Sequence, residues 1–173
     1  MTGNLEIRDT MKEALLTEKP KATAAENESE RERLKALYSY EILDTEAEEA
    51  YDNLTRIAAR ICGTQISLIS LIDPERQWFK SAHGFDTTET CRDIAFCDHA
   101  IRNKDEVMEV PDAELDERLK DNPPVTCEQG IRFYAGAPLR TPDGQAIGTL
   151  CALPTTERMR PLGHRQRQSN SCG

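Results

Sequence analysis

Residues 131–153 read IRFYAGAPLRTPDGQAIGTLCAL. Ile131 to Leu139 and Gln145 to Leu153 are apolar-rich runs, separated by Thr141-Pro142-Asp143-Gly144. Asp-Gly between two such runs predicts a β-hairpin, because glycine takes the positive φ that a tight turn needs. Pro138 cannot donate a ladder hydrogen bond, so an edge or a bulge is expected around it. Gly136 and Gly148 permit close backbone approach and read as fold requirements.

Upstream, QISLISLID at residues 65–73 has apolar positions on both faces, as in a central strand covered on both sides. Asp73-Pro74-Glu75-Arg76 is turn chemistry, and Gln77 to His83, with Trp78 and Phe79, reads as the hairpin partner. Trp78, the single tryptophan, is assigned to packing rather than to a ligand stack. GFDTTETCRD reads as a loop and Ile94 to Arg102 as a short helix. Val107 to Val110 reads as a short strand, and ELDERLKDN as one or two helical turns before Pro123-Pro124.

Before the first strand, ERERLKALYSYEIL at residues 30–43 carries Leu34, Leu37, Tyr38 and Ile42, a narrow apolar stripe on an amphipathic helix broken at Asp44-Thr45. Thr45-x-x-Glu48 is a capping box for the next helix. Ala47, Tyr51, Leu54, Ala58 and Ile61 recur there at steps of three and four, and Gly63 suits a left-handed C-terminal cap. Residues 1–29 are polar and Ala/Glu/Lys-rich and are expected to form a mobile arm, with a transient helix over Met11 to Leu16. Residues 154–173 hold Pro154, Pro161 and Gly163 and four Arg against one Glu, and are expected to be a disordered or divergent tail. Tight turns join most strand pairs. The fold class is therefore α+β, a central and mainly antiparallel sheet of about five to six strands with flanking helices.

The 173 residues amount to one domain with a segment at each end. A net charge of −9 argues against general nucleic-acid binding and against a basic membrane-surface patch. No run approaches the roughly 18 apolar residues of a membrane span. MTGNLEIRDTMKEALL has no apolar core of a secretory signal, so a cytoplasmic location is expected. Cys62, Cys91, Cys97, Cys127, Cys151 and Cys172 include no C-x-x-C pair and read as reduced, mostly buried thiols rather than as a disulfide framework.

Four phrases together resemble the GAF domain, in the subfamily fused to bacterial sensor histidine kinases and diguanylate cyclases. They are ERLKALYSYEILDTEAEEAYDNLTRIAARICG, ISLISLIDPERQWFKS, ETCRDIAFCDHAI and IRFYAGAPLRTPDGQAIGTLCAL, within residues 30–153. The resemblance implies a sheet with a ligand cavity on one face, dimerisation through flanking helices, and a non-catalytic sensing or regulatory role in signal transduction. It fixes neither the ligand nor a cofactor. Such domains usually continue after the last strand into a long helix. Here Pro154 follows and no helical period returns, so that helix is expected to be missing.

The candidate ligand-binding residues are Arg92, Asp93, Cys97, His99, Arg132 and Tyr134. Arg92 and Asp93 precede a helix start, where backbone N–H groups favour anions. Arg132 and Tyr134 are two apart on an expected strand and would share a face. The competing account is an Arg92 or Arg132 salt bridge with Asp93 or Asp98 that merely orders the loop. Cys97 and His99, two apart on a helix, do not share a face, so no metal site is expected. Asp98 separates Cys97 from His99, unlike the adjacent Cys-His of tetrapyrrole-binding relatives, and is expected to be exposed. Free methionine-R-sulfoxide reductase, a GAF enzyme, offers a second function, with Cys97 and Cys127 matching two of its cysteines. Tyr134, Cys151 and Leu153 stand where that family holds its substrate amine with acidic groups. A ligand-free interaction or dimerisation module is the third.

Overall fold

The structure is a computed structural model that describes residues 24–103, 105–127 and 130–154. The expected arm over residues 1–23, the Met11 to Leu16 helix, Cys172 and the segment 155–173, with its expected missing helix, lie outside the described residues.

Among the described residues eleven elements follow in order: α1 (Ala24–Ser39), α2 (Glu49–Cys62), β1 (Ile66–Ile72), β2 (Arg76–His83), β3 (Glu89–Cys91), a 3-10 turn (Arg92–Ile94), α3 (Phe96–Arg102), β4 (Met108–Val110), α4 (Pro123–Thr126), β5 (Tyr134–Arg140) and β6 (Ala146–Leu153). The strands form one sheet in the order β3-β2-β1-β6-β5-β4, with every neighbouring pair antiparallel. The β5–β6 hairpin turns at Gly144, whose φ is 84°. Around Pro138 the expectation of an edge holds. β4 pairs only with Tyr134 to Gly136, so the later half of β5 has a partner on one side alone, and its register shifts at Leu139/Arg140.

β1 is buried along its whole length and its residues alternate between two cores. Ile66, Leu68 and Ile72 join Phe79, Phe96, Ile101 and Tyr134 on the α3 side. Leu71 packs with Leu37 and Trp78 on the other side, flanked by Leu34, Ile42 and Leu43. The β1–β2 ladder skips a residue at Lys80: Ser70 faces Phe79, and Ile69 faces Ser81. This bulge sends Phe79 to one core while Lys80 and Ser81 meet α2.

Five expectations need correction. α1 starts at Ala24, so residues 24–29 are helical rather than part of a mobile arm. It ends at Ser39, because Glu41 takes a left-handed φ of 49° that no helix accommodates. Second, Thr45 and Glu48 form no capping box, and α2 begins at Glu49. The buried ammonium of Lys80 takes both residues instead, at 2.7 Å from Thr45 Oγ1 and 2.6 Å from Glu48 Oε1. A buried charge must be paired, and that requirement outweighs a cap worth about 1 kcal/mol. Third, β3 arises within GFDTTETCRD, where a loop was expected, and pairs Glu89 to Cys91 with Trp78 to Arg76. Fourth, the apolar recurrence locates α2 but not its buried side. Thr55 and Ala59 face the sheet, while Leu54, Ile57 and Ile61 are 50%, 52% and 70% exposed. The Thr55 and Ser81 hydroxyls lie 2.9 Å apart, and Ser81 donates to Asp52 at 2.6 Å, so polar hooks choose the inner face. Fifth, of the described cysteines only Cys97 and Cys151 are buried; Cys62, Cys91 and Cys127 are half-buried. Gly63 closes α2 as expected, at φ 62°, with its N–H on the last turn.

Candidate functional site

A cavity of about 30 Å³ lies between the sheet and α3, room for one or two water molecules. β1 contributes Ile66 and Leu68, β2 Phe79, β5 Tyr134, and β6 Cys151 and Leu153. Phe85, Phe96 and Ile131 close it from the loops and from α3. Edge-on aromatic pairs, Phe79 with Phe85 at 5.7 Å and Phe96 with Tyr134 at 5.5 Å, hold the walls.

Three features break this apolar lining. Gln77 on β2 is 5% exposed, and its Oε1 has no hydrogen-bond partner. A buried acceptor without a donor loses about 1–3 kcal/mol, so a ligand that brings an N–H or O–H gains there. Cys97 and Cys151 bring two thiols to the same wall, with Sγ atoms 3.8 Å apart. Around Cys97 Sγ stand the Ser70 hydroxyl at 3.2 Å and the Tyr134 hydroxyl at 3.4 Å. Burial opposes ionisation of Cys97, but the Cys151 thiol and the Ser70, Thr149 and Tyr134 hydroxyls outweigh it and bring its pKa down to about 7. Its hydrogen bond to Cys97 and its burial push the Cys151 thiol up. Burial and the Cys97 charge raise Tyr134. Cys97 is therefore the first group of this cluster to ionise.

Of the six residues singled out in the sequence, Cys97 and Tyr134 line the cavity; Arg92, Asp93, His99 and Arg132 do not. The Arg92 Nε donates to Asp98 Oδ1 at 2.6 Å, and its Nη1 to Glu30 Oε1 at 2.6 Å and the Asp73 carbonyl at 3.1 Å. Glu30 also holds Arg33, and Asp98 also holds Arg102, both at 2.7 Å. Arg92 thus locks α1 to α3 in an alternating chain of charges. Asp98, expected outside, is 8% exposed because it sits between two guanidiniums. Its carboxyl is buried, yet Arg92 and Arg102 hold it below the ordinary carboxylate value. Arg132 precedes β5, so it does not share a strand face with Tyr134. It braces the preceding loop through the Val125 carbonyl at 2.7 Å and Glu114 at 3.0 Å. Asp93 is exposed, and half-buried His99 is pushed toward its neutral form by burial. Among the described residues no group of three His, Cys, Asp or Glu converges as a metal site. No described helix is long and apolar enough to cross a membrane.

Nothing in the local sequence marks Gln77 or the pairing of Cys151 with Cys97. Gln77 sits in a polar-looking strand start, and its orphaned acceptor emerges only when five elements converge.

A six-stranded antiparallel sheet, with helices on one face and an apolar cavity under a short helix on the other, defines an α+β domain. The GAF domain family profile matches residues 46–168, and the chain belongs to the GAF domain family. A cyclic di-GMP phosphodiesterase of Pseudomonas aeruginosa, PA2567, is 41% identical over 144 residues, covering 83% of this chain. The chain spans only 24% of that relative's length. Among solved structures, the GAF domain of a phosphoenolpyruvate-protein phosphotransferase from Coxiella burnetii has a TM-score of 0.50 at 14% identity, over 72% of this chain and 77% of that one. A free methionine-R-sulfoxide reductase from Neisseria meningitidis has a TM-score of 0.49 at 19% identity, over 80% of each chain. At 14% identity the Coxiella likeness speaks to the fold alone.

Proposed function

We propose that this chain is a non-catalytic regulatory domain of a cytoplasmic signalling protein, and that it responds to a small uncharged molecule carrying a hydrogen-bond donor. The orphaned Gln77 acceptor in the cavity wall carries this reading. The lining favours a neutral molecule: the hydroxyl donors at its wall already converge on the Cys97 sulfur, and no guanidinium or ammonium of the described residues lines the cavity to hold a second negative charge. Arg92 and Arg132 are committed to internal partners, so neither offers its charge to a nucleotide phosphate. A molecule larger than about two water volumes requires the cavity walls to part. The Pseudomonas relative suggests attachment to an enzyme of cyclic di-GMP turnover, with this chain as a control segment rather than the catalytic one. The test is a thermal-shift screen of small amides and alcohols beside nucleotides, repeated on Gln77→Leu. Stabilisation by neutral donors that is lost in the variant supports the proposal.

The exposed face of α2 favours a second reading, a self-pairing interaction module. Leu54, Ile57 and Ile61 form one stripe on the helix, with Glu49 at its start and Arg56 and Arg60 toward its end. Two such helices packed antiparallel bring acid to base at both ends of the apolar seam, as a two-fold interface requires.

A further inference from the structure

We propose that Cys97 and Cys151 are a redox-reactive pair that closes to a reversible disulfide when a small hydroperoxide enters the cavity. Three observations place this chemistry here. The two Sγ atoms are in contact at 3.8 Å, from residues 54 apart in the chain, so α3 and β6 hold them together. Both thiols line the same cavity, whose volume of about 30 Å³ suits a molecule of two oxygen atoms. Two hydroxyl donors, from Ser70 and Tyr134, converge on the Cys97 sulfur, an environment that stabilises a thiolate without a cation. The lowered Cys97 pKa of about 7 agrees with that geometry. The proposal shares the cavity with the ligand reading but does not rest on any ligand binding there.

The reaction balances in two steps. The Cys97 thiolate attacks the terminal oxygen of the hydroperoxide, the O–O bond breaks, and Cys97 becomes a sulfenic acid. The leaving oxygen takes up the proton that Cys97 released and departs as water or an alcohol. The Cys151 sulfur, losing its proton, then attacks the Cys97 sulfur. The S–S bond forms, the S–O bond breaks, and a second water carries the Cys151 proton away. Two thiols lose two electrons in all, and the peroxide gains them. Closing to about 2.0 Å draws α3 and β6 together, and a small dithiol reverses the bond.

Peptide mapping of the full chain tests this. The reduced chain is exposed to hydrogen peroxide, its remaining thiols are alkylated, and its peptides are sequenced by mass spectrometry. The expected product is a Cys97–Cys151 cross-link, a loss of about 2 Da that dithiothreitol restores. In Cys151→Ser, Cys97 is expected to stop at the sulfenic acid, a gain of about 16 Da that dimedone traps. Oxidation of Cys91 or Cys127 while Cys97 and Cys151 stay reduced overturns the proposal. So does a Cys97–Cys127 link, which favours the sulfoxide-reductase chemistry instead. The wild-type map needs no variant to fold, and it is independent of the thermal-shift screen.

Discussion

The guanidinium of Arg92 and the carboxylate of Asp98 meet at 2.6 Å, with side chains 12% and 11% exposed. Here the residue that looked like a ligand anchor is a structural tie between α1 and α3. Asp98→Asn is expected to cost about 3 kcal/mol in denaturant unfolding, because it leaves Arg92 buried with half its charge partners. Arg102→Gln, on the 68% exposed partner of Asp98, is expected to cost less than about 1 kcal/mol.

The same cluster sets a pH dependence. Glu30 is half-buried, yet Arg33 and Arg92 keep its pKa below the ordinary value, and Asp98 is lowered likewise. A depressed carboxylate stabilises the fold fully above its unfolded value and loses that contribution as pH falls through the folded one. Stability should therefore fall steeply below about pH 4. Replacing Asp98 with Asn should flatten that fall, as unfolding curves from pH 6 to pH 2 would register.

Ionisation of Cys97 predicts a reactivity profile. In a chain with Cys62, Cys91, Cys127 and Cys172 changed to Ser, modification by methyl methanethiosulfonate should rise with a midpoint near about pH 7, as the Cys97 pKa requires. A midpoint near the ordinary thiol value, or no reaction short of unfolding, would place the charge elsewhere.

The exposed stripe on α2 predicts a concentration-dependent dimer. Ile57, at the stripe's centre, is 52% exposed, so Ile57→Glu should leave the fold's stability within about 0.5 kcal/mol. Sedimentation should show the wild-type dimer dissociating to monomer in that variant. A monomeric wild type would remove the self-pairing reading.

The hairpin over residues 131–153 and the β1–β2 pair were legible because turn residues and apolar runs sit next to each other in the chain. β3 was not, because three residues of a polar loop gain strand structure only by pairing with β2. The inner face of α2 was not, because Lys80, Ser81 and Asp52 select it across a bulge that no local pattern announces. The site was legible in part. Cys97 and Tyr134 stood out by type, whereas Gln77 and Cys151 gain meaning only where β2, β6 and α3 meet. Arg92 and Arg132 drew attention as charges near loops, and the partners that occupy them lie up to 62 residues away.

Binding of a small neutral hydrogen-bond donor beside Gln77, as proposed, is read from the thermal shift of the full chain with acetamide and with cyclic di-GMP, repeated in Ile94→Phe, which fills the cavity wall. Acetamide is expected to stabilise the chain, an effect lost in Ile94→Phe, and the dinucleotide to give no shift. A shift with the dinucleotide that survives Ile94→Phe, with none from acetamide, would contradict it.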